Sequence, residues 1–563
     1  MRYLFALFLL LPLEADEPPI SSTTHVVLVN VVVKDKHGKP VDDLTRDDFV
    51  VRDNGRKQKI ALFAREENSA VAATPRQPLT FTNRPAAGMP SVTVFLFDEL
   101  NTSLADQQLA RKDFLRYLGH VPADSRVAVF VLGDSLVLLH DFSEDVPSLV
   151  AALNRHASRV NREVEASTAP TGSAHSLAGD QNTDAKWDSF IRASSRAYVD
   201  YEETVRALRT AAALETIAGH LEGIPGRKTL IWISGGFPVQ LGLHASASDQ
   251  SGSDSASRSP APRSGFSAPR SSRGGGGTEQ HSSGGNSTTQ PPPVTSTSEI
   301  PGQGQSFESE VERAIGALNE ADIAVYPVDA RGLNAASRFD AERSSLGKRN
   351  KPPKAAPPPD YNYETLETLA EETGGKPFHD INDLSAAIQE AISDARVSYS
   401  LAFSPPSDTL DGAYHRLEVA VNRPGAKLRY RPRYLAARDS IVAPPLASAI
   451  QNPVSLTGIG MTVHLEPTAG GYKTSVTLDS RDITLQPASD GKWTGSLEFL
   501  VVVGRTEQLT RIPLSLNEAT FRSVEQRGLT LGARVKTPPG TTGFSLGFRD
   551  VPSGLTGTLH IGL

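Results

Sequence analysis

The chain has 563 residues, 38% of them hydrophobic and 21% charged, a composition that can bury sizeable cores and a length that predicts about three to five domains. Lys and Arg number 57 against 64 Asp and Glu, a net charge of −7; with no strongly basic stretch, nucleic acid is not an expected partner. Cysteine is absent, which excludes disulfides, thiolate-bound metals, iron–sulfur clusters, cysteine catalysis and a lipoprotein anchor.

The chain begins MRYLFALFLLLPLEA, with Arg2 ahead of an apolar run from Leu4 to Leu11 and a small residue at Ala15. That layout predicts a signal peptide at 1–15. Pro12 and Glu14 end the run far short of the roughly 20 apolar residues that a membrane anchor needs. No later segment is apolar for long enough to span a bilayer, so the mature chain is expected to be secreted or periplasmic.

Residues 25–68 read as an N-terminal β module: a β-branched run, VVLVNVVVKD, a tight turn at Asp35-Lys36-His37-Gly38, and a hairpin at Asn54-Gly55. A loop rich in Ala, Thr and Pro (69–90) leads out of it. From 91 onward strands and helices alternate. Continuous apolar runs at 92–98, 127–133, 228–234 and 323–329 read as central strands buried on both faces. A short run at 135–142, separated from the previous strand by Gly133-Asp134, reads as an antiparallel edge, and a sixth short strand is expected near 376–379. Apolar residues at helical spacing predict helices over 106–119, 145–156, 201–222, 307–320, 362–373 and 382–395, with a polar stretch before 197. Together these describe an open, doubly wound α/β sheet over 91–396.

Inside that region, 30 of the 55 residues at 245–299 are Ser, Gly or Pro, and none is Leu, Ile, Met, Trp or Tyr. Such a segment buries too little apolar surface to offset the entropy of ordering it, so a disordered insertion is expected. Strands without helices return at 397–435 as a β extension. A linker at 440–453 follows, and 454–563 alternate strands and turns in the manner of a C-terminal β-sandwich.

Several stretches, in this order, carry a resemblance: VVLVNVVVKDKHGKPVDDLTRDDFVVRDNG, VFLFDELNTS, IPGRKTLIWISGGFP, IAVYPVDARGL and DGAYHRLEVAVNRPGAKLRYRPRY. Over about residues 25–435 the chain resembles a bacterial VWFA-related family named for acidobacteria, and its α/β portion resembles the von Willebrand factor type A domain. The resemblance implies a ligand-binding or adhesion module, not an enzyme. It also implies a metal-ion-dependent adhesion site, built from Asp-x-Ser-x-Ser after the first strand of the sheet, a Thr from a second loop and an Asp after the fourth strand. Mg²⁺ or another divalent cation takes oxygen ligands there and keeps a position open for a partner's carboxylate.

The match to that site is partial. Asp98 stands at the first position, but Leu100 replaces the first Ser and Ser234 replaces the later Asp. Asp98, Asn101 and Thr102 are the candidate metal ligands, with Thr204 and Thr210 as candidates for the second-loop Thr. Glu99, Ser103, Ser234, Gly235 and Gly236 complete the candidate crevice for a protein partner. The competing reading is that Asp98, Asn101 and Thr102 hydrogen-bond the strand-end loop as a turn. A hydrolase with an unrecognised active site, or an envelope protein with a vestigial crevice, are the other functions the chain allows. Gly543-Phe544-Ser545-Leu546-Gly547 matches the nucleophile pattern G-x-S-x-G, with Asp550 and His560 following, but no helix comes after it and a strand is expected. The 13 His show no paired metal spacing and Gly235-Gly236 precedes no phosphate-binding Lys. Asp42-Asp43, Asp47-Asp48 and Asp329 read as turn and loop-capping carboxylates.

Overall fold

The computed structural model describes residues 26–67, 79–84, 92–119, 127–143, 146–156, 181–237, 303–331, 363–379, 384–394, 397–406, 409, 411–436 and 445–563. The expected signal peptide and the expected insertion at 245–299 lie outside the described residues.

The β-branched run at the start forms β1 (Val27–Lys34), followed by β2 (Phe49–Asp53), β3 (Arg56–Gln58) and β4 (Leu62–Glu67). Between β2 and β3 the chain reverses at Asn54-Gly55, whose φ angles of 46° and 77° are the left-handed pair that a two-residue hairpin demands. After β1, the Asp35 carboxylate accepts the N–H groups of His37 and Lys39, each at 2.8 Å, and so closes the expected turn. The expected 69–90 loop contains a further strand, β5 (Thr80–Thr82).

The α/β unit follows: β6 (Val92–Asp98), α1 (Leu104–Leu118), β7 (Val127–Leu132), β8 (Leu136–Ser143), α2 (Val146–Arg155), α3 (Gln181–Leu221), β9 (Lys228–Ser234), α4 (Gln303–Glu320), β10 (Ile323–Asp329), α5 (Tyr363–Glu372) and α6 (Leu384–Asp394). The sheet runs β10-β9-β6-β7-β8, parallel except for β8, which lies antiparallel on β7. Every residue of β6, β7, β9 and β10 is buried, because helices cover both faces. Side chains alternate between two cores. Leu96, Phe130 and Trp232 pack with Ile217 of α3 and Ile315 of α4; Phe95, Ile231 and Tyr326 pack with Phe114 of α1 and Ile388 of α6.

Two expectations change here. The sixth strand is reduced to a single bridge between Phe378 and Val328. The polar stretch before 197 is helical from Gln181, so α3 runs 41 residues; sparse apolar residues did not stop a helix that continues an amphipathic one.

The next strands, β11 (Val397–Phe403), β12 (Tyr414–Val421), β13 (Lys427–Arg429) and β14 (Arg433–Leu435), return to the beginning of the chain. They complete two four-stranded sheets, β13-β1-β11-β4 and β14-β12-β2-β3. Val29, Val31, Phe49, Val51, Tyr399, Phe403 and Leu417 fill the space between them. The N-terminal module and the β extension, expected as separate pieces, are thus the two halves of one two-layer unit, because each alone offers an unmatched apolar face.

The C-terminal region opens with α7 (Leu446–Gln451), a helix in the expected linker. It continues as β15 (Met461–Thr468), β16 (Gly471–Leu478), β17 (Gln486–Pro487), β18 (Trp493–Val503), β19 (Thr506–Leu516), α8 (Glu518–Arg527), β20 (Leu529–Lys536), β21 (Gly543–Asp550) and β22 (Thr556–Gly562). One sheet runs β20-β16-β15-β5; the other runs β17-β18-β21-β22, with β19 on the opposite edge of β18. Val463, Leu465, Val476, Leu497, Leu546 and Phe548 lie between them. Three residues from the expected loop therefore supply an edge strand to sheets some 380 residues later, Phe81 lying opposite Val463. Among the described residues no helix is long and apolar enough to cross a membrane.

Candidate functional site

Strands β6 and β9 lie side by side in the middle of the sheet, with Phe97 opposite Ile233. That register brings their ends, Asp98 and Ser234, together at the carboxyl edge, where open α/β sheets form their crevice. Asp98 is only 2% exposed, so its carboxylate must find its partners inside the protein.

It finds four donors. The Asn101 backbone N–H donates to Oδ1 at 3.0 Å. The Asn101 side-chain amide reaches Oδ1 at 3.1 Å and Oδ2 at 2.9 Å. The Trp232 indole N–H (3.2 Å) and the Ser234 hydroxyl (2.8 Å) both donate to Oδ2. Burial pushes the Asp98 carboxyl above its ordinary range, while the hydrogen bonds from Asn101, Ser234 and Trp232 pull the other way.

The surrounding side chains are also engaged. The Asn101 amide nitrogen donates at 3.0 Å to the hydroxyl of Thr210, which donates in turn to the Arg206 carbonyl at 2.9 Å. Thr102 accepts the Gly235 N–H at 2.8 Å. Ser103 caps α1, accepting the Asp106 N–H at 3.3 Å, as expected of a Ser at that position. Gln107 ties the carbonyls of Glu99 and Thr102 at 3.1 and 2.8 Å. Glu99 faces His156, whose Nε2 lies 3.1 and 3.2 Å from its two oxygens. The void beside Asp98 and Glu99 measures about 20 Å³, room for about one water.

Gly235 explains how closely the loops approach. A Cβ there would lie 2.8 Å from the Asn101 carbonyl and 3.2 Å from the Thr102 Cα, so any side chain would force the two loops apart.

This geometry does not fit a hard cation. Such an ion requires several oxygen lone pairs converging on one point. Here an N–H₂ donor sits between the Asp98 carboxylate and the Thr210 hydroxyl, and Leu100, where the family pattern has a Ser, is buried in the core. Among the described residues no group of three or more His, Asp or Glu could hold a metal ion. Asp98, Asn101 and Thr102 are brought together: the Asp98 carboxylate, the Asn101 amide nitrogen and the Thr102 hydroxyl are engaged with one another or with neighbouring loops, while the Asn101 side-chain oxygen is buried without a partner among the described residues. Of the candidate crevice residues, Glu99, Ser234, Gly235 and Gly236 are buried, and Ser103 is the cap of α1.

Thr210 joins the site from α3, while Thr204 lies more than a turn earlier on the same helix. Trp232 and His156 were not anticipated. Trp232 was within reach of period-two reasoning, since it precedes Ser234 by two on the same face of β9. His156 had no sequence signal, because α2 comes to the site only through packing.

The other candidates resolve as local structure. Ser545 and His560 lie opposite each other on β21 and β22, with the hydroxyl 2.7 Å from Nδ1. Asp550 is at the far end of β21, fully buried, and accepts the Ser553 N–H (3.0 Å) and O–H (2.6 Å), so no triad forms. Asp329 accepts the Arg331 backbone N–H at 2.9 Å, the loop-capping role expected of it. Asp48 accepts the Thr45 N–H at 2.8 Å, and Asp43 pairs with Arg423 at 2.7 Å.

No protein-family model and no curated protein matches the chain. Among solved structures it has a weak likeness to a von Willebrand factor type A protein from Catenulispora acidiphila, 9% identical, over 90% of this chain and 72% of that one, at a TM-score of 0.23. A score that low transfers no property. The fold by itself is that of a mixed α/β chain with several sheets.

Proposed function

We propose that this chain is an exported, non-enzymatic binding or scaffolding protein on a von Willebrand A-like domain whose adhesion site has lost its metal. The observation that carries this reading is the saturation of Asp98 by four protein donors. The Asn101 amide takes the place a cation would hold, and the Ser234 hydroxyl ties the loop after β9 to the same carboxylate. The carboxyl edge of the sheet then acts as a pre-organised rim, in which the partner is met without metal and with little ordering cost.

The partner surface lies outside the closed network. On the outward face of α1, Leu104, Gln108, Lys112 and Leu115 line an open groove of about 540 Å³ that begins at the rim. Their successive spacing of about one turn puts them on one stripe, with apolar ends and polar residues between, a pattern suited to a protein partner.

The test combines stability with capture. Mg²⁺, Mn²⁺ and chelator are expected to leave the melting temperature unchanged. Asp98→Ala, which strands buried donors, is expected to destabilise by about 3–5 kcal/mol. Proteins captured by the immobilised full chain should be retained in chelator and lost with Lys112→Glu. A melting temperature raised by Mg²⁺ in the wild type but not in Asp98→Ala would restore the metal site, and capture indifferent to Lys112→Glu would remove the α1 surface.

A further inference from the structure

A second candidate site lies away from the Asp98 edge. Strand β13 pairs with the end of β1, Arg429 opposite Val32 and Lys427 opposite Lys34, and side chains two apart on a strand share a face. Lys34, Lys427 and Arg429 therefore stand on one face of this ladder, across from Glu390 and Ser393 of α6. Lys376, from the segment after α5, closes a third side, over the Phe378 ring with its ammonium 4.7 Å from the ring centre. The space between measures about 400 Å³.

The charges in this pocket do not cancel. At its floor Asp394 is fully buried and engages both Lys34 and Arg429, with the Tyr326 hydroxyl donating to it at 3.1 Å. Glu390 takes Lys376 at 2.6 Å and Arg429 at 3.6 Å. Two carboxylates thus face four Lys and Arg groups, and Lys427, exposed at the mouth, has no acidic partner among the described residues. Lys34 also donates at 3.3 Å to the Ser393 hydroxyl, which leaves a polar wall rather than an apolar one. Burial alone would raise the Glu390 carboxyl; the hydrogen bond from Lys376 and the charges of Lys376, Lys34 and Arg429 outweigh it and hold it below its ordinary value. The field inside the pocket is therefore positive.

We propose that this pocket binds a compact oxyanion of the phosphate or sulfate type, free or as the terminal group of a larger molecule, held by Lys427, Lys376 and Arg429. Ammonium groups act here as point charges and the guanidinium as a planar donor. Three of the four cations are already positioned by Asp394 and Glu390, so little side-chain entropy remains to be lost on binding.

Calorimetric titration of the full chain at low salt tests this with three probes: inorganic phosphate, sulfate and glucose 6-phosphate. Binding is expected for the wild type, weakened at least tenfold by Lys427→Glu and less by Lys427→Met, and unaffected by Lys57→Glu, an exposed charge on β3. Equal affinity for phosphate and glucose 6-phosphate identifies a free anion as the ligand; tighter glucose 6-phosphate identifies a terminal group. No heat with any probe, or wild-type affinity in both Lys427 variants, overturns the site. Binding of these anions is read independently of the α1 groove, so failure of either proposal leaves the other standing.

Discussion

Asp98 and Lys228 sit at opposite ends of neighbouring strands and meet burial in different ways. Asp98 keeps its place by drawing four donors to it, and the strand-end loops are organised around that demand. Lys228, at the start of β9, is 3% exposed and donates to the Ala321 carbonyl at 2.7 Å. Burial draws its pKa from 10.5 down to about 8. In the unfolded chain the ammonium keeps its proton up to about 10.5, so between about 8 and 10.5 the folded state binds fewer protons. Stability should then rise with pH across that window. Urea unfolding at pH 8 and pH 10 checks this: the wild type should gain stability relative to Lys228→Met, and an identical pH response in the two proteins would refute it. At this scale much of the site could be read in the chain, since Asp98, Asn101, Thr102 and Ser234 were all picked out. Their chemistry could not. A carboxylate beside an asparagine reads equally as a ligand pair and as a hydrogen-bonded turn, and only the position of the amide nitrogen separates the two.

Elements were legible where burial is two-sided. The runs VTVFLFD, VAVFVL, KTLIWIS and IAVYPVD are largely apolar because helices cover both faces of their sheet; a strand with one face in water would alternate instead. Short edge strands carry no such mark. Thr80–Thr82 looks like loop, being three residues of modest β preference in a stretch rich in Ala, Thr and Pro, yet it pairs with β15 and sends Phe81 against the C-terminal core. Truncation of this half-buried ring, Phe81→Ala, should cost about 1–3 kcal/mol by loss of burial and a residual cavity, measured by denaturant unfolding of the C-terminal sheets. No change would mean that β5 is a bystander. Helix α7 escaped notice for a similar reason: six residues give too short a periodicity to recognise, and what holds them is Leu446 and Ile450 packing on Gly547 of β21.

At the scale of the whole molecule, residues 26–67 and 397–436 share one unit. Strand β11 lies between β1 and β4, and β12 between β14 and β2, so neither half closes a core alone. Polar contacts then fasten this unit to the α/β unit: Arg431 donates to the carbonyl of Asn319 at 2.8 Å, and Arg227 to that of Asn30 at 3.4 Å. Deleting 397–436 should therefore leave Val27–Lys34 without hydrogen-exchange protection, while those amides in the full chain exchange only on global unfolding. Persistent protection in the deleted chain would mean that the N-terminal strands form a sheet of their own.

Local order in this protein follows from neighbours in the chain: the turn at Asn54-Gly55, the cap at Ser103, the two-sided strands and the amphipathic helices all depend on residues a few positions apart. Which strands pair depends on something the residue pattern does not encode. A β-ladder is made by backbone groups that are the same in every residue, and the entropy of closing a loop grows only logarithmically with its length. A partner 370 residues away, as Ser400 is from Asn30, is therefore available almost as readily as a near one. Apolar faces on β1 and β11 announced that each needed a covering layer; the folded chain set the two strands edge to edge in one sheet and packed both against β2 and β12.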